Sequence, residues 1–155
     1  MKTSLCCDVL KALEGKTLVT AESLTGGGIG AAITSVPGAS AVYKGGVVSY
    51  TNEVKHRLLG VAEAVLEQYG AVSEQTACAM ARGVRKLLSA DVAVSVTGLA
   101  GPGGDEFGNP VGTVCIGYAD AQNETVKRCF FSGTREEIRE QTILAALKLV
   151  LEQQT

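Results

Sequence analysis

The stretch at 91–99, Asp-Val-Ala-Val-Ser-Val-Thr-Gly-Leu, constrains the fold more than any other. It is β-branched at every second position, uncharged after Asp91, and too short for an ordinary helix. A run so apolar belongs in the middle of a sheet covered on both faces. Thr17 to Ala21 is a second short β-branched run, and a third strand is predicted at 45–51. Residues 111–119 and 125–131 form a strand pair around the turn-forming stretch 120–124, which reads as a hairpin. A hairpin means that the sheet is not wholly parallel.

Helical periodicity fills the intervals. A helix at 3–14 places Leu5, Val9, Leu10 and Leu13 on one side. Another at 29–36 is stopped by Pro37-Gly38. Asn52 is the expected N-cap of a helix at 53–59, and Gly70 ends one at 62–69. Ser73 caps the helix at 74–89, whose apolar face carries Ala77, Met80, Ala81, Val84, Leu87 and Leu88. A final helix runs from Thr134 to about Gln153, with Glu137 completing a capping box. The expected fold is α/β: a three-layer α/β/α sandwich with a mixed sheet. The chain has 155 residues, with no internal repeat or linker, so one domain spanning 1–155 is expected.

Composition removes several function classes. Net charge is −2 and aromatics make up 5% with no Trp, so a broad basic footprint for nucleic acid is not expected and a base-stacking platform would be thinly supplied. No stretch is long enough to span a bilayer. Asp8 interrupts the apolar character of the N-terminus, so no signal peptide is read and a cytoplasmic location is expected. Five cysteines (Cys6, Cys7, Cys78, Cys115 and Cys129) match no zinc or redox spacing, and His56 is the single histidine. No metal and no cofactor are expected. Cys78, Cys115 and Cys129 read as small buried hydrophobes.

Two phosphate-binding motifs fail. Gly15-Lys16-Thr17 lacks the glycine that a P-loop needs where Leu10 stands, and Gly28-Ile29-Gly30 meets Ile33 where a dinucleotide fingerprint needs a small residue. A Ser-His-Asp triad would depend on His56, and a lone histidine is more often a packing or surface residue.

Four stretches survive. Ser23 lies between a strand and Gly26-Gly27-Gly28, where a glycine turn and a helix N-terminus suit a phosphate or an oxyanion. Ser23 or Thr25 as a plain N-cap fits that spacing equally well. Lys55 follows the expected cap Asn52 closely, where the helix dipole disfavours a cation, so its pKa is expected to fall. A neutral lysine serves as base to a serine; a solvated surface lysine is the plain alternative. Thr97-Gly98 leads into a long loop at 100–110, at the carboxyl end of the central strand, where α/β sheets gather ligands. Arg135 opens the last helix and suits a phosphate or carboxylate, or a surface ion pair.

Together these stretches resemble the CinA C-terminal domain family, the competence-damage-inducible proteins, some of which are nicotinamide-nucleotide amidohydrolases. The resemblance covers about residues 5–150. It is carried by Thr20-Ala21-Glu22-Ser23 with Thr25-Gly26-Gly27, by Tyr50 with Asn52-Glu53 and Lys55, by Gly98-Leu99-Ala100-Gly101-Pro102, and by Pro110-Val111-Gly112-Thr113-Val114. It implies a three-layer α/β/α sandwich. It also implies a serine nucleophile at Ser23 assisted by Tyr50 and Lys55, with substrate contacts from Thr25, Gly26, Gly27, Thr97, Gly98 and Arg135. The implied substrate is nicotinamide mononucleotide, with no metal, no nucleic-acid partner and no membrane partner. Leu24, Asn109 and Thr134 depart from the family's common cysteine, lysine and aspartate. The chain reads as a stand-alone form, without the separate N-terminal domain of many relatives, and its long last helix permits a homodimer. A non-catalytic nucleotide-binding module, or an amidase for another small amide, fits the same residues.

Overall fold

The computed structural model describes residues 1–155. Five strands, β1 (Leu18–Glu22), β2 (Tyr43–Val48), β3 (Val92–Gly98), β4 (Thr113–Ala119) and β5 (Glu124–Phe130), form one sheet in the order β2-β1-β3-β4-β5. β1 pairs parallel with β2 and β3, while β4 is antiparallel to both β3 and β5. The mixed sheet and its closing hairpin are as the sequence predicts. No helix is long and apolar enough to cross a membrane.

Alternation along the strands builds two cores. Leu18 on β1, Val92, Val94 and Val96 on β3, and Val114, Ile116 and Tyr118 on β4 face one side. There they meet α1 (Lys2–Ala12), α2 (Gly28–Thr34) and α6 (Arg135–Glu152), through residues such as Val9, Ile33, Ile138 and Leu147. Val19, Ala21 and Ala93 face the other side. That side is covered by α3 (Asn52–Leu59), α4 (Glu63–Tyr69) and α5 (Glu74–Leu87), through Leu59, Leu66, Met80 and Val84. The result is the three-layer sandwich that period-2 burial on both faces requires.

Several boundaries move from their expected places. β2 begins at Tyr43 and ends at Val48, because the Tyr43 hydroxyl ties to Thr20 Oγ1 at 2.7 Å and the Ser49 N–H already turns onto the Glu22 carbonyl at 2.8 Å. A 3₁₀ turn at Ala39–Ala41 precedes it. The cap of α3 is Thr51, not Asn52: Thr51 has the extended backbone and its hydroxyl accepts from the Val54 N–H at 3.3 Å. Ser73 caps α5 and Thr134 caps α6 with the reciprocal Glu137 bond, both as read from the sequence. Of the three cysteines read as buried, Cys115 is buried, while Cys78 and Cys129 are half-buried; Cys6 is buried as well.

Candidate active site

Ser23 is the first residue after β1, at the carboxyl end of a strand with a parallel neighbour on either side. Its N–H donates to the Val96 carbonyl on β3 at 3.1 Å, which fixes the backbone at the sheet edge of a turn. The turn reverses through Gly26 and Gly27, at φ +60° and +100°, conformations that a side chain would strain. Gly27 then caps α2.

Lys55 reaches this serine from α3. Its Nζ donates to Ser23 Oγ at 3.0 Å, to the Ser49 carbonyl at 2.7 Å and to the Tyr50 carbonyl at 3.5 Å. Only 1% of the lysine is exposed, and no carboxylate pairs with it. Burial pushes its pKa down to about 8. The cause differs from the expected one. With Thr51 as cap, Lys55 is the fourth residue of α3 and its own N–H is satisfied by the Thr51 carbonyl. Desolvation of the ammonium, rather than the helix end, favours the neutral amine.

Glu22 explains how the turn is held, and sequence reasoning gave it no role. This carboxylate is 2% exposed, yet its nearest partners are donors rather than a cation. Oε1 accepts from the Ile29 N–H at 2.7 Å and the Thr25 hydroxyl at 2.6 Å, and Oε2 accepts from the Gly30 N–H at 3.0 Å. The positive end of α2 is thus occupied by the protein's own acid. The expected anion cradle at the helix N-terminus is therefore filled. Gly26 N–H and Gly28 N–H are also engaged, by the Ser23 and Thr25 carbonyls. In this turn the Leu24, Thr25 and Gly27 N–H groups donate to no protein acceptor.

A cleft of about 290 Å³ opens beside Ser23. Ser23, Tyr50, Lys55, Thr97, Gly98 and Arg135 all border it. The hydroxyl of Thr97 is committed to the Ala71 carbonyl at 2.8 Å, so it ties the cleft wall to the α4–α5 connection. Thr25, Gly26 and Gly27 lie behind the cleft, in the turn. Arg135 bridges the rim: Nη1 donates to the Gly101 carbonyl at 2.5 Å and Nη2 to the Tyr50 hydroxyl at 3.2 Å. The Tyr50 phenol therefore faces Arg135, and Lys55 touches Ser23 without an intermediary.

The remaining residues of interest are structural. Leu24 is buried in the core with one side toward the cleft. The Asn109 amide donates to the Val72 carbonyl at 3.2 Å and to Asp105 at 2.8 Å, and its oxygen accepts from Arg128 at 2.6 Å, so it pins the 100–110 loop. His56 holds the Val61 carbonyl at 2.7 Å with Nδ1 and makes no contact with Ser23.

The chain is similar throughout to proteins of one family. The CinA C-terminal domain model matches residues 3–154. A CinA-like protein of Endomicrobium trichonymphae is 51% identical over 87% of this chain, and a putative competence-damage inducible protein of Thermoanaerobacter pseudethanolicus is 49% identical over 86%. The chain spans about a third of the length of these curated relatives (32% of each). Two solved structures align over nearly their whole length. The CinA superfamily protein of Klebsiella pneumoniae has a TM-score of 0.96 at 34% identity, covering 99% of this chain and 98% of that one. The competence/damage inducible protein of Agrobacterium tumefaciens has a TM-score of 0.96 at 37% identity, covering 99% and 96%. By sequence along nearly all of its length, the chain belongs to the CinA C-terminal domain family.

Proposed function

We propose that the chain is an amidase that hydrolyses the carboxamide of nicotinamide mononucleotide to nicotinic acid mononucleotide and ammonia, in the cytoplasm. The observation that carries the reading is the 3.0 Å contact between a buried lysine amine and the hydroxyl of Ser23. A lysine with a pKa of about 8 is roughly one-tenth neutral at pH 7, enough for a base that turns over with each cycle.

Neutral Lys55 takes the Ser23 proton as Oγ bonds to the carboxamide carbon. The carbonyl oxygen becomes an oxyanion, and the free N–H of Leu24, a residue of the cleft wall, is its donor. The N–H after a nucleophilic serine commonly has this duty. Protonated Lys55 then returns its proton to the leaving nitrogen, the C–N bond breaks and ammonia departs. Water loses a proton to Lys55 as it attacks the ester carbon; Lys55 then passes that proton to Ser23 Oγ as the C–Oγ bond breaks, which releases the acid and restores both Ser23 and the neutral amine. The phosphate of the nucleotide falls to Arg135, whose guanidinium has no carboxylate partner. Tyr50 orients that arginine.

The test is ammonia release from nicotinamide mononucleotide by the wild-type, Ser23→Ala and Lys55→Ala proteins. Turnover by the wild type and losses of at least about 10²-fold in both variants are expected. Substrate affinity without turnover in the wild type would instead mark a binding module.

A further inference from the structure

The turn that carries Ser23 is also gripped from a side that the proposed chemistry does not use. Arg139 lies one helical turn beyond Arg135 on α6 and directs its guanidinium back to the turn. Nε donates to the Leu24 carbonyl at 2.9 Å and Nη2 to the Thr25 carbonyl at 3.2 Å. One planar fork thus holds two successive carbonyls. The side chain is half-buried and no carboxylate pairs with it, so its charge is spent on the turn.

Peptide planarity gives this grip a chemical consequence. A trans peptide sets its N–H opposite its C=O, and the chain's one cis bond is at Gly101–Pro102. Drawing the Leu24 carbonyl to Arg139 aims the Thr25 N–H away from that side chain. Holding the Thr25 carbonyl fixes the next plane, whose Gly26 N–H closes on the Ser23 carbonyl at 3.1 Å. That bond in turn sets the plane bearing the Leu24 N–H. Docking of α6 does not require this arginine, because Ile138, Leu147 and Val150, each 1% exposed or less, already seat the helix in the core.

We infer that Arg139 is the positioning residue of the oxyanion site: through two carbonyls it holds the turn whose Leu24 N–H receives the charge formed on the substrate carbonyl. The inference rests on the acyl-transfer reading of Ser23.

The test compares wild type, Arg139→Ala and Arg139→Lys by ammonia release from nicotinamide mononucleotide, by thermal melting and by the rate at which a fluorophosphonate labels Ser23. Arg139→Ala should lose about 10²-fold in kcat, the scale of one lost oxyanion donor, with KM nearly unchanged. Its labelling should slow by a similar factor, since the phosphonyl oxygen seeks the same donor. Arg139→Lys keeps the charge but not the fork and should fall between the two. A folded Arg139→Ala with wild-type kcat, or a loss confined to KM, overturns the inference. If Arg139→Ala does not fold, Arg139→Lys decides by the same criteria. A wild type inert to both amide and fluorophosphonate removes the Ser23 reading and this inference with it. A wild type that turns over, matched by Arg139→Ala, removes this inference alone.

Discussion

The amine of Lys55 meets the hydroxyl of Ser23 at 3.0 Å, although the two residues are 32 positions apart and only 1% and 6% exposed. A buried, unpaired ammonium is costly, and two backbone carbonyls offset only part of that cost. The fold keeps this amine where a surface position would be cheaper. Its lowered pKa follows directly from that placement.

Activity should therefore titrate with Lys55. With a folded pKa of about 8, kcat/KM rises as pH increases toward 8 and levels above it, because only the free amine accepts the serine proton. Lys55→Arg keeps a donor beside Ser23 but stays charged at every working pH, and should lose at least about 10²-fold. The check is a pH–rate profile from pH 6.5 to 9.5. A flat profile would remove Lys55 as the base.

Stability should move with the same group. The folded pKa of about 8 lies below the ordinary 10.5, so between these values the unfolded chain holds a proton that the folded chain has released. Stability from this group thus rises with pH across that window, and the buried charge weighs on the fold in full below it. The full span is on the order of 3 kcal/mol. Urea unfolding of wild type and Lys55→Met at pH 7.5 and 9.5 isolates it. The difference between the two proteins should shift in favour of wild type by about 1–2 kcal/mol at the higher pH.

Glu22 should prove as necessary to the turn as Ser23 is to the chemistry. Its two oxygens receive three donors at 3.0 Å or less, two of them backbone N–H groups of α2. Glu22→Gln places an amide NH₂ against one of those donors and leaves a buried N–H unsatisfied, which costs about 1–3 kcal/mol. A fall in Tm of roughly 3–10 °C follows for a chain of this size. Calorimetry with an unchanged Tm would show that the carboxylate is not what seats the helix.

How much of this was legible in the sequence depends on range. The strands stood out because Val92, Val94 and Val96 must fill one core while Ala93 fills the other, a pattern written in consecutive residues. Ser23 and Lys55 each announced themselves through local turn and cap chemistry. The cap itself was misplaced by one residue, since Thr51 and Asn52 are both good caps and only the backbone of Thr51 is extended. Glu22 looked like a neighbour of the serine. Its role appears only when the chain folds back so that Ile29 and Gly30 present their N–H groups. The Arg139 contacts span more than a hundred residues, and no periodicity encodes a bond of that range.

Two glycines at the C-terminal end of α3 should respond differently to alanine. A Cβ on Gly83 of α5 would run into the backbone carbonyl of Leu59, the last residue of α3, whereas one on Gly60 would meet open space at φ +69°. Gly83→Ala must push α3, and Lys55 with it, away from α5, at a cost of about 1–3 kcal/mol and with a fall in kcat. Gly60→Ala should cost only the left-handed strain of about 1–2 kcal/mol, with kcat retained. Melting curves beside turnover numbers separate the two. Equal losses of activity would mean that the seat of α3 does not set the lysine.

Tyr50 offers the sharpest division between relay and orientation. Its hydroxyl accepts from Arg135 at 3.2 Å, and the phenol is 59% exposed at the cleft rim, while Lys55 already touches Ser23 directly. A relay through Tyr50 would insert a proton carrier between groups that need none. Tyr50→Phe removes one acceptor of the Arg135 guanidinium and leaves the Ser23–Lys55 contact intact. Its effect should therefore fall on substrate grip, with KM raised about threefold to tenfold, the value of one lost hydrogen bond. Its kcat should stay within about tenfold of wild type, against at least about 10²-fold for Lys55→Ala. A kcat loss in Tyr50→Phe as deep as that of Lys55→Ala would put the phenol in the proton path, and the arginine-orienting role would fall.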